Sequence, residues 1–443
     1  MKKYILNLFS LLLLAQCCIA QETIYPAPKQ LGTFYITHAT IHVGNGQVIN
    51  DGTIKITDGK IESVGTNAPV QNAGIKIIDA SGKQVYPGLI SSVTNLGLKE
   101  IANGVRGSND YTELGDINPS IRSIVAYNTD SKVINTLRYN GILLANVIPQ
   151  NEGEVATALI TGTSSVVQLD AWNWEDAAYK MDGQMHLNIP SLLVRTGRFG
   201  GRGINTDQPQ VDPVKQALDK VESARQFFRE AKAYLAEPAH NATNLKFEAT
   251  KGLFNKTQKL FVHCDAVKEM LLAIDFATEF GFDVVIVGGK ESWEIADLLR
   301  QNNIAVILQE LHELPVSIDD DVDQPFKTPY MLQKAGVLFA LGYAEYTRGR
   351  NLPFIAGTAV ASGLTKEEAL AAITLNAAKI LGIANTTGSI EQGKDANIVI
   401  SEGDILDMRS SILAHAFIQG REINLTTKHT QLYERYKYKY GIR

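Results

Sequence analysis

The sequence predicts an α/β protein in which a (β/α)8 TIM barrel is inserted into a small β-sandwich domain built from both chain ends. Three observations carry this. Apolar residues alternate with a period of two from Thr33 to Val64. From Lys259 onward, short apolar runs alternate with helical patterns, and after Gly382 the chain returns to strand-like runs. The length of 443 residues accommodates a barrel with an attachment.

Composition narrows the class. A hydrophobic content of 45% with 8% aromatics excludes a long disordered chain. The net charge of -5 is mild, and no basic block is large enough for a dedicated nucleic-acid binder. Three cysteines are too few for a disulfide scaffold or a cysteine-rich zinc module.

Residues 1–20 predict an export signal. Lys2 and Lys3 precede an apolar run from Tyr4 to Ala15, and Cys18-Ile19-Ala20 offers small residues for a cut before Gln21. The run is too short to span a membrane comfortably. The expected destination is outside the cytoplasm, which in a bacterial cell would be the periplasm or the medium. A second reading makes Cys17 a lipidated cysteine, although Gln16 is larger than the residue such a signal normally carries. Simple cleavage leaves Cys264 alone, so no internal disulfide forms. Loss of Lys2 and Lys3 takes the net charge from -5 to -7.

Residues 21–87 are expected to form the first part of the β domain. Asp58-Gly59 joins Thr53–Thr57 to Lys60–Val64, and a type I′ hairpin turn needs φ > 0 at both turn positions. Asn45-Gly46 marks another turn. Residues 88–385 are expected to form the barrel. Lys259–His263 reads as a buried strand, and Asp265–Phe280 as a helix with Val267, Met270, Leu271 and Ile274 on one face and Gly281 as its stop. Asp283–Val287 and Ile304–Leu308 are further strands flanking a helix over Glu291–Arg300. Gly336–Leu341 is one more strand, and Thr365–Glu368 is a capping box. Residues 386–427 return to the β domain through Ile398-Val399-Ile400.

Two loops carry weak signals. Gly197–Gly203 is glycine-rich but lacks a P-loop lysine, so a mobile loop is the better reading. Asp319–Asp323 lacks the spaced ligands of a calcium loop and reads as a solvated acidic loop. The tail 428–443 carries five cations against Glu434, a net +4, interleaved with Tyr433, Tyr436, Tyr438 and Tyr440. It is expected to lay its tyrosines on the protein's own surface, the alternative being a peripheral contact with lipid or another chain.

Four stretches resemble the amidohydrolase superfamily in its imidazolonepropionase-like branch. They are Asp79–Lys83 with Pro87-Gly88-Leu89-Ile90, then Phe261-Val262-His263, Gly336–Leu341, and Gly388–Ala396. The resemblance implies a barrel of the metal-dependent hydrolase type and hydrolysis of non-peptide C–N bonds in cyclic amides, N-acyl or dipeptide-like substrates. It also implies zinc or another divalent ion that lowers the pKa of bound water to about 7. The implied ligands are a His-x-His pair after strand one, histidines after strands five and six, an aspartate after strand eight and, in many members, a carboxylated lysine or a glutamate on strand four.

Placed on this chain, the pattern fails at most positions. Ser91-Ser92-Val93-Thr94-Asn95 puts Val93 and Asn95 where the paired histidines would fall. Gly288 and Ala344 take the places of the third histidine and the aspartate. Only His263 remains, and the strand-four position is not assigned. Catalytic zinc takes three protein ligands. Without a metal, water keeps its pKa near 15.7, a handicap on the order of 12 kcal/mol. A general base recovers about 3–5 kcal/mol. The expectation is therefore no metal and a catalytically impaired or non-catalytic homologue. Its partner would be a small molecule, a second copy of the chain or a metal-bearing paralogue. The alternative is an active hydrolase with His263 as general base and Thr94, Asn95, Tyr343 and Glu345 lining the mouth.

Overall fold

The computed structural model describes residues 25–67, 74–101, 109–150, 158–192 and 212–442. The leader at 1–20, with Cys17 and Gln21, and the glycine-rich stretch 197–203 lie outside the described residues.

Alternation builds the first sheet. Strands β1 (Thr33–His42), β2 (Val48–Thr57) and β3 (Lys60–Gly65) bury Ile36, Ile41, Ile54, Ile56 and Ile61. Asp58 and Gly59 hold φ of 49° and 83°, as the predicted β2–β3 turn requires. The first half of β1 runs parallel to β4 (Lys76–Asp79) and its second half parallel to β5 (Gln84–Pro87).

The chain then enters the barrel. Its strands are β6 (Leu89–Thr94), β7 (Ile142–Val147), β8 (Ile160–Gln168), β9 (Ala178–Asn188), β10 (Lys259–Cys264), β11 (Val284–Gly288), β12 (Ala305–Gln309) and β13 (Phe339–Gly342). On leaving it, the chain adds β14 (Ile398–Ser401), β15 (Leu413–Ile418) and β16 (Arg421–Glu422) to the first sheet. Pairing of β14 with β5 joins the two ends in the order β16-β15-β14-β5-β1-β2-β3. The expected sandwich is thus one mixed sheet curled over its own apolar face. Phe34 of β1 meets Phe417 of β15 with ring centroids 5.5 Å apart, across two intervening strands.

The barrel sheet runs from β6 to β13 in chain order. It nearly closes: Ser92 Oγ donates to Leu341 O at 3.0 Å, and Asn95 N to Ala344 O at 3.0 Å. One strand departs from the expected all-parallel (β/α)8 pattern. β8 is antiparallel to both β7 and β9. The β8–β9 connection, 169–177, holds only the short helix Trp174–Ala177, too little chain for the crossover that a parallel pair needs.

Local rules explain the helices around the barrel. The helix Val267–Phe280 stops at Gly281 with φ 72°, and Thr365 and Glu368 form the capping box of Lys366–Ala372. Leu271, expected on the buried face, is 42% exposed; Met270, Ala273, Ile274 and Phe276 form that face. The strand expected from Gly336 begins at Phe339, because Gly336 is the left-handed stop of the helix Gln324–Ala335. The helix expected over Glu291–Arg300 splits into a 3-10 turn, Ser292–Ile295, and a helix, Ala296–Gln301. Among the described residues, no helix is long and apolar enough to cross a membrane.

The tail forms a helix, Lys428–Tyr440, with no buried residue. This corrects the expectation that its tyrosines lie on the protein's own surface. Tyr433, Tyr436, Tyr438 and Tyr440 are 64%, 50%, 91% and 65% exposed.

Candidate functional site at the barrel mouth

The inward face of the barrel is filled by apolar side chains at its lower levels. Ile90, Val93, Leu144, Val166, Phe261, Val285, Val287, Ile307 and Ala340 form one buried cluster, floored by Ala377, Ala378, Ile380 and Leu381. Alternation along β10 puts Phe261 and then His263 on this inward face, and turns Cys264 the other way. Along β9 the same rule places Gln184, His186 and Asn188 inward, against Met185 and Leu187 in the outer layer.

His186 and His263 meet there. Nδ1 of His186 lies 2.8 Å from Nε2 of His263, so one ring donates and the other accepts. The edge of the His186 ring also packs on Phe261 at 5.4 Å. His186 is wholly buried, and its Nε2 has no hydrogen-bond partner among the described residues. Burial pushes the pKa of His263 down to about 4. Burial, and then the neighbouring His263, lower that of His186 well below its ordinary value. Both rings are neutral at pH 7. Asn146, also wholly buried, donates to Ser92 O at 3.1 Å but leaves its own Oδ1 unpartnered.

The other sequence-derived site residues do not converge on this pair. Thr94 is buried, and its Oγ1 accepts from Leu96 N at 3.2 Å. Asn95 is a brace: its Nδ2 donates to Gln150 Oε1 at 2.8 Å, while its Oδ1 accepts from Tyr346 N at 3.0 Å. Tyr343 packs in the layer between strands and helices, where burial and then the charge of Glu310 push its pKa up to about 12. Glu345 caps its own turn, accepting from Thr347 Oγ1 at 2.5 Å and Arg348 N at 2.9 Å.

The positions left by the implied ligands are also accounted for. Val93 belongs to the apolar cluster. Ala344 spends its carbonyl on Asn95 N. Gly288 has φ 106°, and a Cβ there would stand 2.5 Å from Asp265 Oδ1 and 2.8 Å from Cys264 O, so no side chain fits without movement. The inward residue of β11 is Val287. Cys264 is free and buried, its thiol pKa raised by burial. Asp265 leans toward Lys290, 3.9 Å away.

A divalent ion does not fit this donor set. Two imidazoles already bonded to each other fall short of the three protein ligands that catalytic zinc takes. Among the described residues, no group of three or more His, Cys, Asp or Glu side chains could hold an ion.

His186 and Gln150 are what sequence reasoning missed. Gln184-Met185-His186-Leu187-Asn188 alternates polar and apolar residues, and that pattern in a barrel strand marks a polar lumen. Gln150 lies in a loop and carries no such signal.

Beside the mouth, a cleft of about 30 Å³ opens between the ends of β11 and β12 and the helix Gln324–Ala335. It is lined by Trp293, Leu311 and Pro315, with Lys290, Glu310, Glu313 and Asp320 as its charged groups. Lys290 is paired with Glu313, and Arg348 reaches Glu310 at 3.1 Å. Burial, and then Glu313, raise the pKa of Glu310.

A nearly closed eight-stranded barrel joined to a sheet from both chain ends, with a histidine ending the fifth barrel strand, is an amidohydrolase architecture. The sequence profile described as "Amidohydrolase family" matches residues 250–428. The chain is 26% identical over 375 residues to imidazolonepropionase of Thermoplasma volcanium, covering 80% of this chain and 85% of that protein. It is 22% identical over 413 residues to imidazolonepropionase of Alkaliphilus metalliredigens, covering 80% and 84%. The fold is similar to that of a Thermotoga maritima amidohydrolase, with a TM-score of 0.74, 23% identity, and 88% of this chain and 99% of that one covered. Residues 250–428 thus match the amidohydrolase family, and the homology of the chain to imidazolonepropionase is distant but extends over most of its length.

Proposed function

We propose that this protein is a catalytically impaired member of its family whose barrel mouth has passed from metal-assisted hydrolysis to binding. The observation that carries the reading is the fate of the strand-one pair: Val93 is packed into the apolar cluster, and both polar ends of the Asn95 side chain are bonded internally. Turning Val93 to a substrate would break its packing, and turning Asn95 would break its bonds to Gln150 and Tyr346.

The binding partner we favour is a small molecule with a polar group that can reach Nε2 of His186. Leaving that atom buried and unpartnered costs about 1–3 kcal/mol, which a bound hydrogen-bonding group would offset. A second reading, an active C–N hydrolase, draws on the His186–His263 pair as general base. Its weakness is basicity: a ring with a pKa of about 4 is a poor proton acceptor at pH 7.

Turnover separates the two. Purified protein is expected to show no metal-dependent hydrolysis of N-acyl amino acids, dipeptides or cyclic amides, including imidazolonepropionate. Turnover abolished by His263→Ala would support the hydrolase instead. Loss of a small ligand's binding in His263→Ala, with no turnover in either protein, would support the receptor form.

Export is part of the proposal, on the order of charge, apolar run and small residues in 1–20. Sequencing of the exported form is expected to begin at or next to Gln21. A start at a lipidated Cys17 would replace cleavage with anchoring, and a start at Met1 would sink export.

A further inference from the structure

The last described helix has no role in the barrel or its mouth, and its side chains are arranged in a pattern. At 100° per residue, Tyr433, Tyr436 and Tyr440 fall on one stripe, spaced i, i+3, i+7. Lys439 and Lys428 lie to one side of that stripe and Lys437 to the other. The cations are held close to the rings: Lys437 Nζ is 5.5 Å from the Tyr433 centroid, and Lys439 Nζ is 5.1 Å from that of Tyr440 and 5.7 Å from that of Tyr436. Lys428, Arg435, Lys437 and Lys439 stand against one acid, Glu434, which is 3.7 Å from Lys437. No residue of the helix is buried, and the three stripe tyrosines are half or more exposed.

From this we propose that the helix Lys428–Tyr440 is a docking surface for an anionic lipid membrane, lying in the headgroup layer with the tyrosine stripe facing down. Tyrosine is the side chain suited to that depth, with an apolar ring and a hydroxyl that stays hydrated. Lysines on both flanks then meet lipid phosphates, each worth roughly a fivefold gain at the surface of an anionic bilayer. The stripe itself is all tyrosine; Leu432 stands at its edge, one turn before Tyr436, and a lone half-buried leucine is fewer than the several aliphatic anchors with which an amphipathic helix fills a protein groove. A groove would also need acidic walls on both rims, whereas a headgroup layer offers negative charge without a shape to match.

The test is co-sedimentation of the full chain with vesicles of phosphatidylcholine alone and of equal parts phosphatidylcholine and phosphatidylglycerol. Binding is expected only to the second. It should fall about tenfold or more in Lys437→Glu/Lys439→Glu, and several-fold in Tyr433→Ser/Tyr436→Ser/Tyr440→Ser. Raising the ionic strength from about 0.1 M to about 1 M shortens the Debye length from about 10 to about 3 Å and should release the protein. Because no residue of the helix is fully buried and the replaced tyrosines are half or more exposed, both variants should melt close to the wild-type temperature. A large drop in melting temperature would mean that the helix packs on the body and would overturn the proposal. So would failure to bind either vesicle, equal binding to both, or charge-reversed protein that binds as before. Self-association without lipid that the charge reversal abolishes would assign the surface to a second copy of the chain instead.

Discussion

A buried ring and a half-buried one decide the pH behaviour of the barrel mouth. His263 has its pKa lowered to about 4 by burial, and His186 is held well below its ordinary value by burial and then by His263. Above the unfolded value of about 6.5, neither state is protonated and stability is undiminished. As pH falls below about 6.5, the unfolded chain takes up protons that the folded rings refuse, and stability drops until pH passes the folded values. For His263 alone the loss is at most about 3 kcal/mol. Urea unfolding between about pH 7 and pH 4.5 should therefore show a steep loss, flattened in His186→Phe/His263→Leu. At pH 7 the single change His263→Leu should cost about 1–3 kcal/mol, because both nitrogens of His186 are then unpartnered. The double variant should recover much of that, a coupling visible in a double-mutant cycle.

Where elements meet, the junction between sheet and barrel hangs on a different histidine. His42, at the end of β1, bonds Glu367 of the helix Lys366–Ala372 at 2.6 Å and Gln84 of β5 at 2.9 Å, and stacks on Tyr86 at 4.5 Å. Burial pulls its pKa down, but the bonds to Glu367 and Gln84 and the charges of Glu367 and Asp404 outweigh that and hold it above 6.5. The sign is opposite to that of the barrel pair. The bond's contribution is fully present below about pH 6.5 and is lost as pH rises through the folded value. Glu367→Gln should thus lower stability by about 1–3 kcal/mol near pH 6, with the difference shrinking in alkaline solution.

The sequence showed these elements to different degrees, and the reasons are local. The Asp58-Gly59 turn, the Gly281 stop and the Thr365–Glu368 capping box were legible because each depends on a few adjacent residues. The reversal of β8 was not, because it depends on which segments pair and on the short 169–177 connection between β8 and β9, neither of which a local pattern marks. Leu271 was misplaced because the helix meets the barrel along a narrower face than its apolar residues suggest.

For the whole molecule, family and activity are legible to different extents. The architecture can be read from a change of period and from a few glycine-bearing turns, so the family follows from the chain. Activity needs ligands from several strands to meet, and the resemblance implied that Val93, Asn95, Gly288 and Ala344 stand at four such positions without showing what surrounds them. What the structure places there is a set of long-range contacts: an apolar plug, a braced Asn95, and a His186–His263 pair whose members lie on neighbouring strands. The central claim is that this donor set no longer holds the family's ion. Its most direct test is the metal content of the purified protein after dialysis, followed by titration with zinc. The account predicts well under one ion per chain and no chelator-sensitive turnover. One tightly held zinc per chain, with hydrolysis that a chelator abolishes and added zinc restores, would contradict it.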